Sequence, residues 1–217
     1  DLLRALGLSF EVIVSDVDEQ VSSNDPEALV RDLSAAKALA VEELRRDSKE
    51  EDLLLLGADT IVVHDGEFLC KPVDEADAFA MLVKLSWTCH QVFTGISIVK
   101  SIYGAKNDAK TGAKTDAKNT TELAESFCKV SDVYFRVLED AEIRAYIATG
   151  EPMDKAGSYA LQGIASLFVE KINGCYTNII GLPVPDTVRL LRKHGLQVLG
   201  IGGANSEPGS AGSLPAS

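Results

Sequence analysis

The sequence predicts an α/β fold in which helices flank a twisted, mixed sheet. Two observations support this prediction. Apolar stretches with strand-like alternation take turns along the chain with stretches whose apolar residues recur at helical spacing. The dipeptides Asp65-Gly66 and Asn173-Gly174 each separate two apolar stretches, as in a tight hairpin, and hairpins exclude a purely parallel sheet. A length of 217 residues with 46% hydrophobic content suits one well-packed domain over 1–200.

In the first half of the chain, helix caps and a hairpin signal set the predicted elements. Asp25 is a predicted N-cap followed by Pro26 in the first turn, Asp74 is a second N-cap, and Asp65-Gly66 joins two strands. The predicted helices cover 2–8, 26–46 and 75–85, and the predicted strands cover 10–14, 53–56, 61–64, 67–70 and 90–100.

In the second half, a segment over about 101–125 interrupts the pattern. Ala-Lys recurs there every fourth residue among Thr, Asp, Asn and Gly, with few apolar residues, so we expect a solvated, flexible insertion. After it, the predicted strands cover 131–137, 167–172 and 176–180, and the predicted helices cover 139–149 and 186–194. The Gly-, Ser- and Pro-rich stretch over 201–217 predicts a disordered tail.

Composition and charge disfavour several classes of protein. The chain has 33 acidic against 21 basic residues, a formal charge of -12, which disfavours binding to nucleic-acid backbones but not to a single nucleotide. No apolar run reaches the roughly 18 residues of a membrane span, and no secretory signal is recognisable. The four cysteines are widely separated, which disfavours disulfides and a zinc site. We expect a cytoplasmic protein, and because the chain starts at Asp1 we expect a further segment ahead of it.

The stretch Gly57-Ala58-Asp59-Thr60 is the first candidate for a chemical site. Asp59 follows a buried apolar strand, where a carboxylate is held rigidly enough to bind a metal or to act as a general base. Taken alone, the same pattern more often belongs to an Asp that hydrogen-bonds its own turn.

Two further stretches have the residue types that bind phosphate. Lys71 is restricted by Pro72, although an isolated Lys of this kind is more often an exposed charge. The loop over 151–159 combines Asp154 and Lys155 with Gly and Ser, as in loops that bind polyanions, but a surface ion pair would look the same. The P-loop, serine hydrolase, zinc protease and dinucleotide-binding patterns do not occur in a suitable context.

Taken together, these stretches resemble the Maf family of nucleotide pyrophosphatases. The matching stretches are 10–12, 16–19, 36–38, 57–62, 71–74, 90–95, 150–159, 161–163 and 178–183. They follow the family's order and spacing from residue 1 to about 195, which is more specific than any single motif. The resemblance implies a fold like that of Maf and inosine-triphosphatase proteins, with two lobes around a central cleft.

The resemblance also implies an activity, which is hydrolysis of a nucleoside triphosphate to its monophosphate and pyrophosphate, assisted by Mg²⁺ or Mn²⁺. Asp59 matches the family's proton acceptor. The other matching positions bind phosphate or metal: the implied phosphate-binding lysines are Lys37, Lys71 and Lys155, and the implied metal-binding acids are Glu19 and Asp154.

Thr60 and Gln162 look like the residues of the subgroup that acts on dTTP and UTP, rather than the subgroup that prefers 7-methyl-GTP. The resemblance further implies a homodimer and a house-cleaning role towards non-standard nucleotides. One alternative is a nucleotide-binding regulator of septum formation with little turnover, and another is an enzyme of the same fold directed at modified or purine nucleotides. The family's N-terminal Ser-x-Ser-Pro-Arg-Arg segment does not occur in this chain.

Overall fold

The structure is a computed structural model that describes residues 2–19, 23–45, 52–102 and 120–201. Two compact units are distinguished, one over 12–183 and the other made of 1–11 with 184–217. The helices are Leu2–Ala5 (α1), Pro26–Arg45 (α2), Glu75–Leu85 (α3), Asp140–Ile147 (α4), Tyr176–Ile179 (α5) and Val184–Lys193 (α6). The strands are Leu53–His64 (β1), Glu67–Leu69 (β2), Cys89–Ile102 (β3), Thr120–Phe135 (β4) and Val169–Asn173 (β5). Short 3₁₀ helices at Glu151–Asp154, Ala156–Ser158 and Ile164–Phe168 lie between α4 and β5.

The sheet of the larger unit has the order β2-β1-β3-β4-β5, and each neighbouring pair among the described strands is antiparallel. The α/β class with flanking helices is confirmed. The pairing is antiparallel throughout, where the sequence predicted a mixed sheet, because each long strand turns back beside its neighbour. Strand β1 pairs with β3 from Leu53 to Val63, whereas β2 pairs only with Val62–His64. The earlier part of β1 therefore has one strand neighbour within the described residues, and the site is built at this edge.

Helix α2 covers one face of the sheet, which we call the helix face. Gly57 and Gly95 allow the helix backbone to come close to the strands. A Cβ at Gly57 would overlap the carbonyl oxygen of Ser34, and a Cβ at Gly95 would overlap that of Val30. Gly95 is also the register partner of Asp59. The position of α2 over Asp59 thus depends on two residues without side chains.

The opposite face, which we call the core face, packs against α3, α4 and the 3₁₀ helices. Val62, Val92 and Val133 from three strands meet Leu82 and Ile143 from the two helices in one buried cluster. Burying each of these side chains stabilises the fold by about 1.5–3 kcal/mol relative to leaving it exposed. Because side chains alternate along a strand, neighbouring residues of β1 serve these two different environments.

The local signals for caps and for the first hairpin are confirmed. The backbone N–H of Glu27 donates to Asp25 Oδ1 at 3.0 Å, and that of Asp77 donates to Asp74 Oδ1 at 2.8 Å. Asp65 and Gly66 have φ angles of 49° and 79°, as a two-residue hairpin of this type requires, and they join β1 to β2.

Other elements differ from the prediction. The segment predicted as a strand over 176–180 contains helix α5, so the hairpin at Asn173-Gly174 was wrong, and β5 pairs with β4 instead. The first part of the strand predicted over 167–172 is 3₁₀-helical, and the strand predicted over 10–14 is not formed. Short apolar stretches suit either a strand or a buried helix, and tertiary contacts decide between them.

The long strands extend into the predicted insertion. Strand β3 runs to Ile102 and β4 begins at Thr120, so both ends of the segment over 101–125 are strand, and β4 starts well before the predicted 131. The intervening residues 103–119 lie outside the described residues, as does the predicted tail beyond Ile201.

The smaller unit contains α1 and α6. Helix α6 starts at Val184, two residues before the predicted Asp186, and the chain leaves it through Gly195 with a φ of 97°. A single bridge joins Val198 to Ile201. None of the helices in the described part of the chain has the length and apolar character needed to cross a membrane.

Candidate active site

The acid predicted as proton acceptor lies on the helix face of β1, inside the strand and not after its end as predicted, because Leu53–His64 form one continuous strand. The side chain of Asp59 is 7% exposed, and Lys37 from α2 donates to its Oδ1 at 2.6 Å. The same ammonium donates to Glu19 Oε1, also at 2.6 Å. The two accepting oxygens, one from each carboxylate, are therefore close together, because both lie within hydrogen-bond distance of the same nitrogen. The structure thus brings Asp59, Lys37 and Glu19 together, as an acid–lysine–acid group.

The pKa values of the three side chains in this group are shifted in different directions. Burial raises the pKa of Asp59, Lys37 opposes the rise, and the neighbouring Glu19 carboxylate adds to it, so that the pKa lies above its usual value. The hydrogen bond from Lys37 is the main reason why the pKa of Glu19 is lowered. Burial lowers the pKa of Lys37, but hydrogen bonds to Asp59 and Glu19 outweigh it, and the pKa is raised. The shared ammonium thus lies between a carboxyl whose pKa is raised and one whose pKa is lowered.

Lys71 extends this group around the edge of β1. It follows β2, and its Nζ donates to Glu19 Oε2 at 3.3 Å. The Lys71 side chain is 60% exposed, so its ammonium can exchange this partner for an oxygen of a ligand. Lys71 also lines a cavity on the core face, whereas Glu19 and Lys37 line a second cavity, next to Gly57. Lys71 and Glu19 together connect the two cavities.

The predicted polyanion loop is folded against β1 and the residues after β2. Gly157 has a φ of 68°, its backbone N–H donates to the Cys70 carbonyl, and a Cβ at this position would lie 3.0 Å from Val62 Cγ1. This close approach brings Asp154 and Lys155 to the wall of the cavity that Lys71 lines. Lys155 Nζ donates to both carboxylate oxygens of Asp154 at 2.7 Å. The ion pair of Asp154 and Lys155, which was the alternative hypothesis for this loop, is therefore present, and both residues line the cavity.

The cavity on the core face has a volume of about 310 Å³, within the range of small-molecule sites. Apolar side chains make up most of its wall, and Thr60 and Gln162 supply neutral polar groups. The second cavity, of about 270 Å³, is lined by the charged Glu19 and Lys37. An apolar pocket with a few polar groups beside a charged one suits a ligand with a flat ring and an anionic tail.

A chain of hydrogen bonds behind the larger cavity holds Thr60. Its hydroxyl lies 2.9 Å from the hydroxyl of Thr94, the register partner on β3. The Thr94 hydroxyl donates to the backbone carbonyl of Asn178 at 3.0 Å. The side-chain amide of Asn178 donates to the carbonyl of Val92 and to Ser131 Oγ, each at 3.0 Å. The short helix α5 is thereby attached to the sheet.

Gln162 belongs to a loop that is held from behind by Tyr146 and Glu151. The Tyr146 hydroxyl accepts the backbone N–H of Ala160 at 3.1 Å and donates to Glu151 Oε1 at 3.0 Å. Glu151 Oε2 accepts the backbone N–H of Ile164 at 3.2 Å. Gln162 itself is exposed and makes no side-chain hydrogen bond to another described residue. The loop is therefore fixed at both ends while the Gln162 amide is available to a ligand.

His90 supports the cavity wall from the buried side. Its Nε2 shares a hydrogen bond of 2.9 Å with the Tyr159 hydroxyl, and Phe135 packs edge-on against both rings at a centroid distance of 4.9 Å. Burial lowers the pKa of His90 to about 3, so this side chain is neutral at physiological pH. The structure therefore gives it a packing role behind Tyr159.

Sequence reasoning gave no role to Asn178, Tyr146 or Glu151. One signal was available, because Asn178 interrupts the apolar run before Gly181, and a buried amide must find hydrogen-bond partners. Glu151 has no such signal, since an acid beside Pro in a loop is ordinary at the surface.

The acidic side chains of the site can be compared with the ligands that a divalent metal requires. No group of three or more His, Cys, Asp or Glu suited to a metal ion occurs among the residues that the structure describes. Asp59 and Glu19 do converge on one cation, and Mg²⁺ in phosphate-handling sites takes one or two carboxylates together with substrate oxygens. The pair fits a metal that binds together with a phosphate ligand. Asp154 has both oxygens on Lys155, and its role as a metal ligand stays a prediction.

Comparison with known proteins connects this arrangement to a family. The family model for Maf, described as Maf-like protein, matches residues 1–194. A protein of Geotalea uraniireducens named dTTP/UTP pyrophosphatase is 45% identical over 196 residues, which cover 90% of this chain and 89% of the relative. Proteins with the same name from Desulforamulus reducens and Hahella chejuensis are 40% and 41% identical, over 92% and 91% of this chain and 93% and 88% of their own.

Proposed function

Because the chain belongs to the Maf-like protein family, we propose that it hydrolyses nucleoside triphosphates, dTTP and UTP above all, to the monophosphate and pyrophosphate. The observation that carries the proposal is the acid–lysine–acid group of Asp59, Lys37 and Glu19, connected through Lys71 to an apolar cavity. The relatives named dTTP/UTP pyrophosphatase support the same reaction.

The two cavities suit the two halves of the substrate. The base enters the larger cavity, where Thr60 and Gln162 meet its polar edge and the apolar wall covers its faces. The triphosphate then runs around the edge of β1, past Lys71 and Lys155, towards Lys37. The three lysines now pair with Glu19, Asp59 and Asp154, so a substrate phosphate replaces carboxylates as their partner.

Asp59 is the proton acceptor in this proposal. Lys37 holds its Oδ1, and Asp59 makes no other side-chain hydrogen bond with the described residues, so that Oδ2 can accept the proton of the attacking water. The water oxygen bonds to the α-phosphorus, the bond from that phosphorus to the bridging oxygen breaks, and pyrophosphate leaves with the electron pair. Lys71 and Lys155 neutralise the charge that develops on the leaving group, which is where such sites gain much of their rate.

A divalent cation, Mg²⁺ or Mn²⁺, belongs to the proposal. Three lysines facing three carboxylates leave no excess of positive charge for a triphosphate. Glu19, with Asp59 beside it, would hold the metal, which would supply the missing charge and polarise the phosphate oxygens.

Other parts of the proposal rest on the family resemblance alone. They are a cytoplasmic homodimer and a house-cleaning role towards non-standard nucleotides. The alternative of a cell-division regulator with little turnover is not favoured, because the similar proteins are named as pyrophosphatases.

A nucleotide panel tests the proposed function. The purified protein is incubated with Mg²⁺ or Mn²⁺ and with UTP, dTTP, CTP, GTP or 7-methyl-GTP, and both products are identified. We expect pyrophosphate and monophosphate, with kcat/KM for UTP and dTTP at least about tenfold above the others. Release of orthophosphate, absence of turnover with every nucleotide, or faster hydrolysis of the guanine nucleotides would contradict the proposal.

A further inference from the structure

The hydrogen-bond chain behind Thr60 has a fixed direction. Thr94 and Asn178 are both 0% exposed, so water does not compete for the Thr94 proton. The backbone carbonyl of Asn178 can only accept, and a hydroxyl carries a single proton, so Thr94 must donate to that carbonyl. In the 2.9 Å contact between the two threonines, Thr94 then has only lone pairs to offer, and Thr60 is the donor.

This direction determines what Thr60 can offer to a ligand. Its one proton is used on Thr94, so the oxygen presents lone pairs and acts as an acceptor. Thr60 lines the larger cavity beside Gly181, and a Cβ at Gly181 would lie 3.7 Å from Thr60 Oγ1. The lack of a side chain at Gly181 leaves the approach to the hydroxyl oxygen open. A ligand group that meets this oxygen must be a hydrogen-bond donor.

Gln162, the other neutral polar side chain discussed for this wall, does not have a fixed direction. The amide of Gln162 can turn to present either N–H or C=O, and no described residue holds it in one orientation. Of these two side chains, Thr60 is therefore the one that requires a donor on the ligand. Uracil and thymine carry an N3–H donor, whereas cytosine has an acceptor at N3.

We propose that Thr94 is a positioning residue that holds the Thr60 hydroxyl as an acceptor, so that the cavity selects pyrimidines with an N3–H. This inference rests on the proposed function, because it names the feature of the base that the same site recognises. Thr94 acts through Thr60 and touches no substrate atom. The backbone carbonyl of Asn178 is held by a second contact, because it also accepts the backbone N–H of Gly181 at 2.9 Å.

The experiment compares UTP, CTP and N3-methyl-UTP, in which a methyl group replaces the N3 hydrogen, in the full chain with Mg²⁺. The variants are Thr94→Val, which removes the hydroxyl at nearly constant shape, and Thr94→Ser, which keeps it. For the wild type and for Thr94→Ser we expect kcat/KM to favour UTP over N3-methyl-UTP by about tenfold or more. For Thr94→Val we expect the preference for UTP over CTP to fall towards unity, because the Thr60 proton is free to turn. The preference over N3-methyl-UTP should fall below the wild-type value, and the part that remains reflects the bulk of the methyl group.

A second comparison separates positioning from general damage. Thr60→Val should lose the same preference, and Thr60→Val with Thr94→Val should lose no more than Thr60→Val alone, because Thr94 acts through Thr60. If Thr94→Val slowed all three nucleotides equally and kept the preference, its role would be structural and the inference would be wrong. Equal hydrolysis of UTP and N3-methyl-UTP by the wild type would equally overturn it.

Binding of nucleoside monophosphates tests the inference even if the protein hydrolyses no triphosphate. UMP, CMP and N3-methyl-UMP are titrated calorimetrically into the wild type and Thr94→Val. Preferential binding of UMP that is lost in Thr94→Val supports the inference even if no triphosphate is hydrolysed, a result that contradicts the proposed function alone. Equal binding of the three monophosphates by the wild type contradicts the inference.

Discussion

The two faces of β1 differ in chemistry at neighbouring positions. On the helix face, Asp59 is held by the charged Lys37, and Glu19 shares the same cation. On the core face, Thr60 is held by neutral groups, the hydroxyl of Thr94 and through it a backbone carbonyl. Because consecutive side chains of a strand point to opposite faces, one dipeptide serves both environments. The proposed groups for bond cleavage and for base recognition thus lie on opposite faces, and we expect that each can be changed without the other.

The largest effect is expected on the helix face, from Asp59→Asn. Asn cannot accept the proton of the attacking water, so kcat should fall by about 10²–10⁴-fold. The amide is nearly the same size as the carboxylate, and thermal unfolding should show an intact fold. Asp65→Asn, at the 90% exposed hairpin turn, is the matched control and should keep the wild-type kcat. Near-normal turnover by Asp59→Asn would exclude Asp59 as the base.

The next effect is expected where α2 approaches the strands. In Gly95→Ala, the new Cβ overlaps the Val30 carbonyl, so α2 must move and Lys37 moves with it. We expect the free energy of unfolding to fall by about 1–3 kcal/mol and kcat to fall as well.

Gly66→Ala is the control for this change, because it has open space around the Cβ but a φ of 79°. It should lose about 1–2 kcal/mol without any change in kcat. Both quantities are measured by denaturant unfolding and by steady-state kinetics. Wild-type kcat in folded Gly95→Ala would show that the position of α2 does not matter for catalysis.

A smaller effect is expected on the basicity of Asp59. The Glu19 carboxylate raises the pKa of Asp59 and shares Lys37 with it, so Glu19→Gln should lower that pKa. Asp59 must be ionised to accept a proton, and the acid limb of kcat/KM should therefore move to lower pH. Carbon-13 NMR of the Asp59 carboxyl in metal-free protein measures the pKa directly. Glu67→Gln, which removes a surface pair with Lys84, should leave it unchanged. An unchanged or higher pKa in Glu19→Gln would contradict the electrostatic coupling.

The smallest effect is expected on the core face, from Glu151→Gln. Glu151 accepts from the Tyr146 hydroxyl with one oxygen and from the Ile164 backbone N–H with the other, whereas Gln has a single acceptor oxygen. The change therefore removes one of the two bonds and weakens the hold on the Gln162 loop. We expect KM for UTP to rise by about threefold to tenfold while kcat changes by less than about twofold. Glu170→Gln, at an exposed position of β5, should change neither. A large fall in kcat with constant KM would place Glu151 in the chemical step.

The sequence was most informative where a local signal had one physical meaning. Asp25 and Asp74 predicted helix starts and Asp65-Gly66 predicted a hairpin, because caps and tight turns depend on residues next to one another. The position of Asp59 beside Lys37 depended on the family resemblance, since two residues on a strand and a helix meet only through tertiary packing. The roles of the site residues at the level of substrate and metal are still predictions.

Where the sequence prediction was wrong, tertiary contacts had decided the structure. The stretch of α5 is short and of mixed polarity, and the Asn178 amide holds it in place by bonds to Val92 and Ser131 on the sheet. The ends of β3 and β4 around Ile102 and Thr120 carry polar residues that resemble a loop, yet the strands pair there. The direction of the Thr60 hydroxyl likewise depends on a backbone carbonyl far away in the chain.

The most direct test of the separation between the two faces is a crossed measurement of rate and selectivity. Single-turnover rates with UTP and CTP are compared for the wild type, Asp59→Asn and Thr60→Val. We expect Asp59→Asn to be slower with both nucleotides by a similar factor and to keep the wild-type UTP preference. Thr60→Val should lose most of the preference while its rate with CTP stays near that of the wild type. Loss of the preference in Asp59→Asn, or an equal slowing of both nucleotides in Thr60→Val, would contradict the division of chemistry and recognition across β1.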